Sequence, residues 1–382
     1  MLTYDAAVIG GGPAGSSCAG ALHRAGLSVA VLDKAVFPRN KVCAGWITPQ
    51  VVTTTQMDVE DYRKSATLQP LRAFVVGFGK QTPVQVDYGS IVGYGIRRCE
   101  FDDYLLRKAD VPTVLGTPLV SLRRRAGGWV LNDEIRTPLV IGAAGHFCPV
   151  AQFLGADVGR SEMPITAQEI EFECEESDAG HDPAQAPGLY FCEDLKGYGW
   201  CFRKGRYVNI GFGREDSGGL ARSTRDFWNW LVDRGQAPSG LRPRFQGHAY
   251  LSRAQSTRTL FDDGVLLIGD AAGLADPVSG EGIRPAVESA LLAARIVRGS
   301  GGIYSRERLS GYAGLIKEHF GPAGAHHDSR IPASIRAALA RLMMKSSWLT
   351  RRIVLDRGFL HANAPALQDD SFAANVSAGH LS

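Results

Sequence analysis

Apolar positions along the chain fall into three kinds of run, and each predicts a different element. Residues 6–9 (AAVI), 139–142 (LVIG) and 264–268 (GVLLI) carry no polar position. That is the pattern of short strands buried on both faces of a parallel sheet. Residues 28–32 (SVAVL) make a fourth such strand, ending at Asp33. Strict alternation marks a second region. In TAQEIEFECEE, Ile170, Phe172 and Cys174 face one way, and Glu169, Glu171, Glu173 and Glu175 face the other. This predicts an antiparallel strand with one solvated, acidic face. GLYFCED (188–194), YGWCFRK (198–204) and RYVNIGFG (206–213) read as its neighbours, with further strands in 71–94 and a short one at 248–251. Residues 113–137 read as short strands around the Gly127-Gly128 turn. Helical spacing is the third kind. It covers a run up to Arg24 stopped by Gly26, residues 49–66, a helix with Phe101, Leu105 and Ala109 on one face, residues 224–233, a helix to about 297, and most of the remainder.

Composition narrows the picture. The chain has 382 residues, 45% of them hydrophobic, enough for two or three domains. Lys and Arg number 42 against 39 Asp and Glu, a net charge of +3, so the bulk carries no signature of a nucleic-acid partner. Seven scattered cysteines, odd in number and without a C-x-x-C pair, fit reduced thiols in a cytoplasmic protein. The chain begins almost at once on its first strand, without a basic leader, and no run of 18 apolar residues occurs, so neither a signal peptide nor a spanning helix is expected. No Ser/His/Asp arrangement and no metal-ligand spacing stands out.

The chemistry concentrates at strand ends. Gly10, Gly12 and Gly15 stand in G-x-G-x-x-G spacing, with Pro13 and Ala14 between them, after a strand and before a helix. Gly10 permits the turn, Gly12 lets the backbone approach a pyrophosphate, and Gly15 lets helix and strand pack closely. Free N–H groups at the helix start hold the phosphates. Asp33, at the end of the next strand, is placed to accept from ribose hydroxyls and to repel a ribose phosphate. Far along the chain, Gly269, Asp270 and Ala271 follow another buried strand, and Pro277, Gly280, Gly282 and Ile283 lead into a helix. Asp270 can accept from a polyol, the two glycines let a flat ring lie on bare backbone, and the helix start favours negative charge on that ring. Two distant segments thus bind the two ends of one long cofactor, FAD.

These residues resemble a known group. GGGPAG, Arg98 before Phe101-Asp102, and GDAAGLADPVSGEGI look like the FAD-dependent oxidoreductases of the para-hydroxybenzoate hydroxylase fold. Within it the chain most resembles the geranylgeranyl reductase family, through FPRNKVCAGW, similar to a K-x-C-G-G loop, and Tyr198-Gly199-Trp200-Cys201-Phe202, similar to a Y-x-W-x-F motif. The resemblance implies an α/β fold. A Rossmann-like FAD-binding domain of the GR2 type (1–70, 95–160, 253–300) would carry an inserted antiparallel β-sheet substrate domain (71–94, 161–252), followed by C-terminal helices (301–365) and a tail (366–382). It adds Lys34, Arg39, Lys41, Ala44, Gly45, Arg98, Ala144 and Gly145 to the cofactor-binding set, and NAD(P)H as a reductant that docks transiently. Three departures stand out: Ala44 for Gly, Arg203 for Pro, and Ala144 for an aspartate that in related enzymes helps hold FAD and the nicotinamide donor.

The remaining expectations concern the reaction. Trp46, Phe172, Tyr190, Tyr198, Trp200 and Phe202 are candidate walls of a pocket for a lipophilic small molecule, or plain sheet core. Cys43 is a candidate catalytic thiol or a small buried residue; His146 is a candidate proton donor or a residue capping the helix at Pro149. The resemblance implies either monooxygenation with NAD(P)H and O₂ or saturation of isoprenoid double bonds. The shortage of visible acids favours a monooxygenase (hydroxylase or epoxidase) of an aromatic or polyketide-like compound, as in secondary metabolism. The reductase is the alternative, and a flavin binder without turnover, supported only by Ala144, a second one. Residues 330–357 carry seven basic side chains and one acid among apolar ones, a pattern that packs on the domain with a solvated basic face or lies on an anionic bilayer. No oligomeric state is readable.

Overall fold

The computed structural model describes residues 1–79, 81–158, 162–174, 186–324 and 332–368. The tail expected at 369–382, Glu175 of the alternating strand and Arg330 of the basic segment lie outside the described residues.

The buried apolar runs form one six-stranded sheet, in the order Phe261–Asp262, Val265–Leu267, Val140–Gly142, Ala6–Ile9, Val29–Asp33, Thr113–Leu115. All pairs but the first are parallel. Val140, Ile141, Val265, Leu266 and Leu267 are completely buried, each such side chain contributing about 1.5–3 kcal/mol of hydrophobic stabilisation. The helices Pro13–Arg24 and Ile283–Gly299 pack on this sheet and on each other. Gly15 lets the helix Pro13–Arg24 lie close on the strand at Val8 and Gly10. Gly311–Phe320 packs outside them, and its buried Tyr312 donates to the Leu267 carbonyl oxygen at 2.8 Å.

The alternating segments form a seven-stranded sheet: Gln246–Tyr250, Ile165–Glu173, Tyr207–Arg214, Gly197–Lys204, Gly188–Phe191, Ala73–Phe78, Val84–Asp87. It is antiparallel except between Gly188–Phe191 and Ala73–Phe78, whose long connection allows a parallel pairing. A small sheet of Trp46–Ile47, Gly93–Ile96 and Leu68–Leu71 joins the two units, and Leu122–Thr137 contributes an outer meander. The helix expected over 49–66 is instead two short ones, Pro49–Thr54 and Val59–Tyr62. Gln56, with φ of 51°, breaks the run, and Asp58 caps the second helix through the Asp61 N–H.

One expectation about faces fails at one position. The strand Ile165–Glu173 was expected to hold its glutamates in solvent, yet Glu169 is only 7% exposed. Both sheet faces are covered. Helix Leu220–Asp233 packs on the side carrying Ile170 and Phe172. The loop after Asp33 and the unit built on the six-stranded sheet cover the side carrying Ala167 and Glu169.

Candidate active site

A single cleft of about 1100 Å³ runs between the two sheets. One end is lined by Gly12, Pro13, Ala14, Asp33 and Lys34, the other by Asp270, Pro277, Gly280, Gly282 and Ile283. The two long helices begin here, and neither Gly12 nor Gly282 offers a side-chain cap, so their first N–H groups are left for a ligand. Gly10 has φ of 111°, and a Cβ there would meet the Ala143 carbonyl at 2.6 Å. Gly15 is needed because a side chain would strike the Gly10 carbonyl. At Gly12, by contrast, only the Arg39 guanidinium comes within 3.4 Å of a would-be Cβ, so that position faces open space. Asp33 accepts from the Gly11 N–H at 2.7 Å and the Ala35 N–H at 2.8 Å, which fixes its carboxylate at the strand end. Two uncapped helix starts facing one cavity of this size fit an elongated, phosphate-bearing cofactor with a flat ring at the far end.

The loop after the second strand forms the cleft's basic rim. Asp102 is fully buried and grips Arg98 in a two-point pair at 2.8 and 2.9 Å, while Arg39 Nη1 lies 3.2 Å from the same carboxylate. Lys41 Nζ sits 2.8 Å from His248 Nε2, and His248 Nε2 lies 3.7 Å from Asp270 Oδ2. Burial pulls Lys41 down to about 8 against the pull of Asp270. It likewise lowers His248, while His248 and Lys41 together hold Asp270 below the usual carboxylate range despite its burial. His248 was not singled out from the sequence: its one signal is position, on a strand whose end faces the cleft. Ala44, Ala144 and Gly145 line the cleft; Gly45, Gly269 and Ala271 stand behind it as packing for the loops.

At the substrate end the aromatic candidates separate. Trp46, Tyr198 and Trp200 line the cleft. Tyr198 donates to the Ser279 carbonyl at 2.5 Å, and Trp200 Nε1 donates to Asn209 Oδ1 at 2.7 Å. Phe202 stacks behind Trp46 at 5.6 Å. Phe172 and Tyr190 require correction. They lie on the other face of the sheet, where Phe172 meets Trp228 and Tyr190 meets Phe227 and Trp230 of helix Leu220–Asp233. Side chains alternate along a strand, so Phe191, one residue on, reaches the cleft instead. His146 also changes role. Its Nδ1 lies 3.2 Å from Arg258 Nη2, and Arg258 is paired with Glu162 at 2.6 Å. Burial and that guanidinium push its imidazole down to about 4, so it is neutral near pH 7 and makes a poor proton donor there. Cys43 lines the cleft, and its sulfur accepts from the Gly45 N–H at 3.4 Å.

The far wall comes from segments that carried no motif. Leu339, Met343 and Met344 of helix Ala333–Met343 and its end, with Ile353, Val354 and Phe359 of the π-helical segment Thr350–Phe359, close the cleft. Among the described residues no helix is long and apolar enough to cross a membrane. None of their His, Cys, Asp and Glu side chains gather in threes to hold a metal ion.

The comparisons with known proteins agree with this geometry. Residues 8–54 match the NAD(P)-binding Rossmann-like domain and residues 121–307 the FAD binding domain. Fold and site together define an FAD-dependent oxidoreductase. The chain is 32% identical over 314 residues to the geranylgeranyl diphosphate reductase of Rhodobacter capsulatus, covering 74% of this chain and 72% of the relative. It belongs to the geranylgeranyl reductase family. It is also 28% identical over 342 residues to the menaquinone reductase of Mycobacterium tuberculosis, covering 83% and 80%. A geranylgeranyl bacteriochlorophyll reductase-like protein of Thermoplasma acidophilum shares the fold at a TM-score of 0.71, with 22% identity over 90% of this chain and 88% of that one. PqsL of P. aeruginosa shares it at 0.64, with 19% identity over 83% and 92%.

Proposed function

We propose that this flavoenzyme saturates carbon–carbon double bonds in a polyisoprenoid chain, with NAD(P)H as the source of electrons. The observation that carries the reading is the shape of the substrate end. An apolar gallery of Trp46, Trp200, Phe191, Leu339 and Met343 extends the cleft beyond Asp270 and Gly280, and Cys43 stands where it meets the basic rim. Bound and reduced, FAD supplies a hydride equivalent to the substrate. The chain's residues do the rest. The aromatic walls align an extended hydrocarbon and exclude water, and Cys43 offers a proton to the carbon next to the one reduced. The relatives named as reductases of geranylgeranyl diphosphate and of menaquinone support this choice. The shortage of acids that favoured monooxygenation does not persist in three dimensions, because Glu169 and Glu281 are brought to the cleft or directly behind it.

The substrate is drawn from a lipid surface. On the wall that closes the cleft, Leu339, Leu342, Trp348 and Ile353 are exposed, among exposed Arg336, Lys345, Arg351 and Arg352. Apolar side chains ringed by cations match an anionic bilayer, and salt-sensitive sedimentation with phosphatidylglycerol vesicles tests this.

The reaction is tested anaerobically, with the flavin reduced by dithionite and geranylgeranyl diphosphate or menaquinone offered. A product heavier by two hydrogens is expected, with Cys43→Ala slowing its formation. A product carrying one atom from labelled O₂, formed only aerobically, would install monooxygenation instead.

A further inference from the structure

A second cavity lies behind the Cys43 loop. It encloses about 170 Å³, room for several water molecules, and it is polar where the main cleft is apolar. Lys41, Cys43 and Arg98 line both cavities, so the Cys43 loop is the partition between them. Glu169 lines the rear cavity. It is 7% exposed, and its Oε2 has no hydrogen-bond partner. An uncompensated buried carboxyl oxygen is costly if charged, so it points to a group that carries a proton.

We propose that Glu169 resupplies the proton that Cys43 delivers to the substrate. The inference rests on the reductase reading given above. In each turnover the Cys43 S–H bond breaks and a C–H bond forms on the alkene; a bound, reduced flavin would supply the hydride equivalent for the neighbouring carbon. The thiolate left behind lies beside the Arg98 guanidinium, whose charge favours it. The Glu169 carboxyl then passes its proton to the sulfur through water in the rear cavity, and the carboxylate recovers a proton from solvent. Thiol and carboxyl both end as they began.

The surroundings of Glu169 suit this cycle. Burial raises its affinity for the proton, opposed by the Cys43 backbone N–H, by Lys204, and by Asn209. Asn209 is itself held by Trp200 Nε1 and donates to the Cys43 carbonyl at 3.3 Å, so it ties the cleft wall to the partition. On the same strand Glu171 is neutralised by Lys204 at 2.7 Å and by Arg97 at 2.9 Å, which leaves Glu169 as the buried acid without an ion-pair partner of its own there. Lys41 and Arg98 face it from the partition and the helix behind it. Asn40, Cys99, Ile170, Arg244 and Gln246 complete the lining.

The test reads the thiol directly. In the flavin-loaded protein, the rate of Cys43 alkylation by iodoacetamide is followed against pH by peptide mass spectrometry. Ionisation of Glu169 places a negative charge behind the sulfur, so in a Lys41→Arg background, which removes the lysine's own titration beside Cys43, the profile should show two inflections. In that background Glu169→Gln, nearly isosteric, should show one, and Glu169→Asp two. With geranylgeranyl diphosphate under anaerobic conditions, Glu169→Gln should retain FAD, slow product formation about tenfold, and enlarge the solvent deuterium isotope effect. Superimposable alkylation profiles with and without Glu169→Gln in the Lys41→Arg background overturn the proposal, even if the protein proves to be a reductase. A protein that does not reduce isoprenoids but shows the two-inflection profile would retain the coupled pair and lose the reaction assigned to it.

Discussion

The two ends of the cleft are built from different materials. At the cofactor end the shape is made by backbone: glycines at 10, 12, 280 and 282 and two bare helix starts, each carried by one contiguous stretch of sequence. At the substrate end it is made by side chains. These come from the Cys43 loop, strands of the seven-stranded sheet and two C-terminal helical segments. A backbone cradle tolerates no added atoms but asks little of its neighbours. A side-chain wall depends on which face of each strand looks inward, and a shift of one residue exchanges the whole set.

Gly12→Val attacks the first kind of site and should have the largest effect. The backbone there has φ of −73°, which valine adopts, and nothing but Arg39 lies near the added atoms. The protein should therefore fold and melt normally yet lose FAD affinity by about a hundredfold or more, since the side chain fills the space before the helix start. Flavin absorbance after gel filtration, beside a thermal melt, checks both halves. Retained flavin would mean that the cofactor does not approach this helix.

The second kind of site is tested by a matched pair of residues on opposite faces of one sheet. Phe172→Ala removes an edge contact with Trp228 and should cost about 2 kcal/mol of stability with KM unchanged. Trp200→Phe keeps an aromatic cleft wall but removes the donor to Asn209 Oδ1, and should keep FAD while lowering turnover. Denaturant midpoints and steady-state kinetics distinguish them. The reverse pattern would restore the inward role expected of Phe172 from sequence.

That pair also shows what the sequence made legible. The buried runs 6–9, 139–142 and 264–268 announced the parallel sheet, and the two glycine segments announced FAD, because each signal is local. The period of two along Ile165–Glu173 was also legible, but it states which residues share a face and not what covers that face. Helix Leu220–Asp233 covers Phe172, and the Cys43 loop covers Glu169; both facts belong to tertiary packing. His248 was hidden for the same reason: Lys41, 207 positions away, gives it meaning.

Lys41 lies where the two ends meet. Burial brings it to about 8, so it is charged below that pH and loses its charge as pH rises through it. A cation beside Asp270 should favour the bound, anionic cofactor, so FAD should be held about fivefold less tightly at pH 9.5 than at pH 7. Lys41→Arg, charged throughout, should flatten that dependence. Titrations of the apoprotein with FAD at both pH values decide it, and an unchanged slope in the variant would remove Lys41 from the site.

The smallest effect expected belongs to Glu281, in the glycine-flanked loop at the cofactor end. Its carboxyl lies 3.1 Å from Arg284 and 3.9 Å from His361, yet Oε1 is unpartnered. Burial outweighs Arg284 and His361 and pushes it up to about 7. A folded-state value above the unfolded one means that the folded protein holds a proton the unfolded chain has already released. Stability from this group is therefore full below about 4.5, declines as pH rises, and is lost above about 7. Glutamine mimics the protonated form. Glu281→Gln should melt about 2–4 °C above wild type at pH 8 and level with it at pH 4.5. A variant that melts below wild type at pH 8 would show that the charged carboxylate, held by Arg284 and His361, is what the fold needs. Glu281 would then be an ion-pair anchor for the loop, unlike the proton-carrying Glu169 at the other side of the cleft.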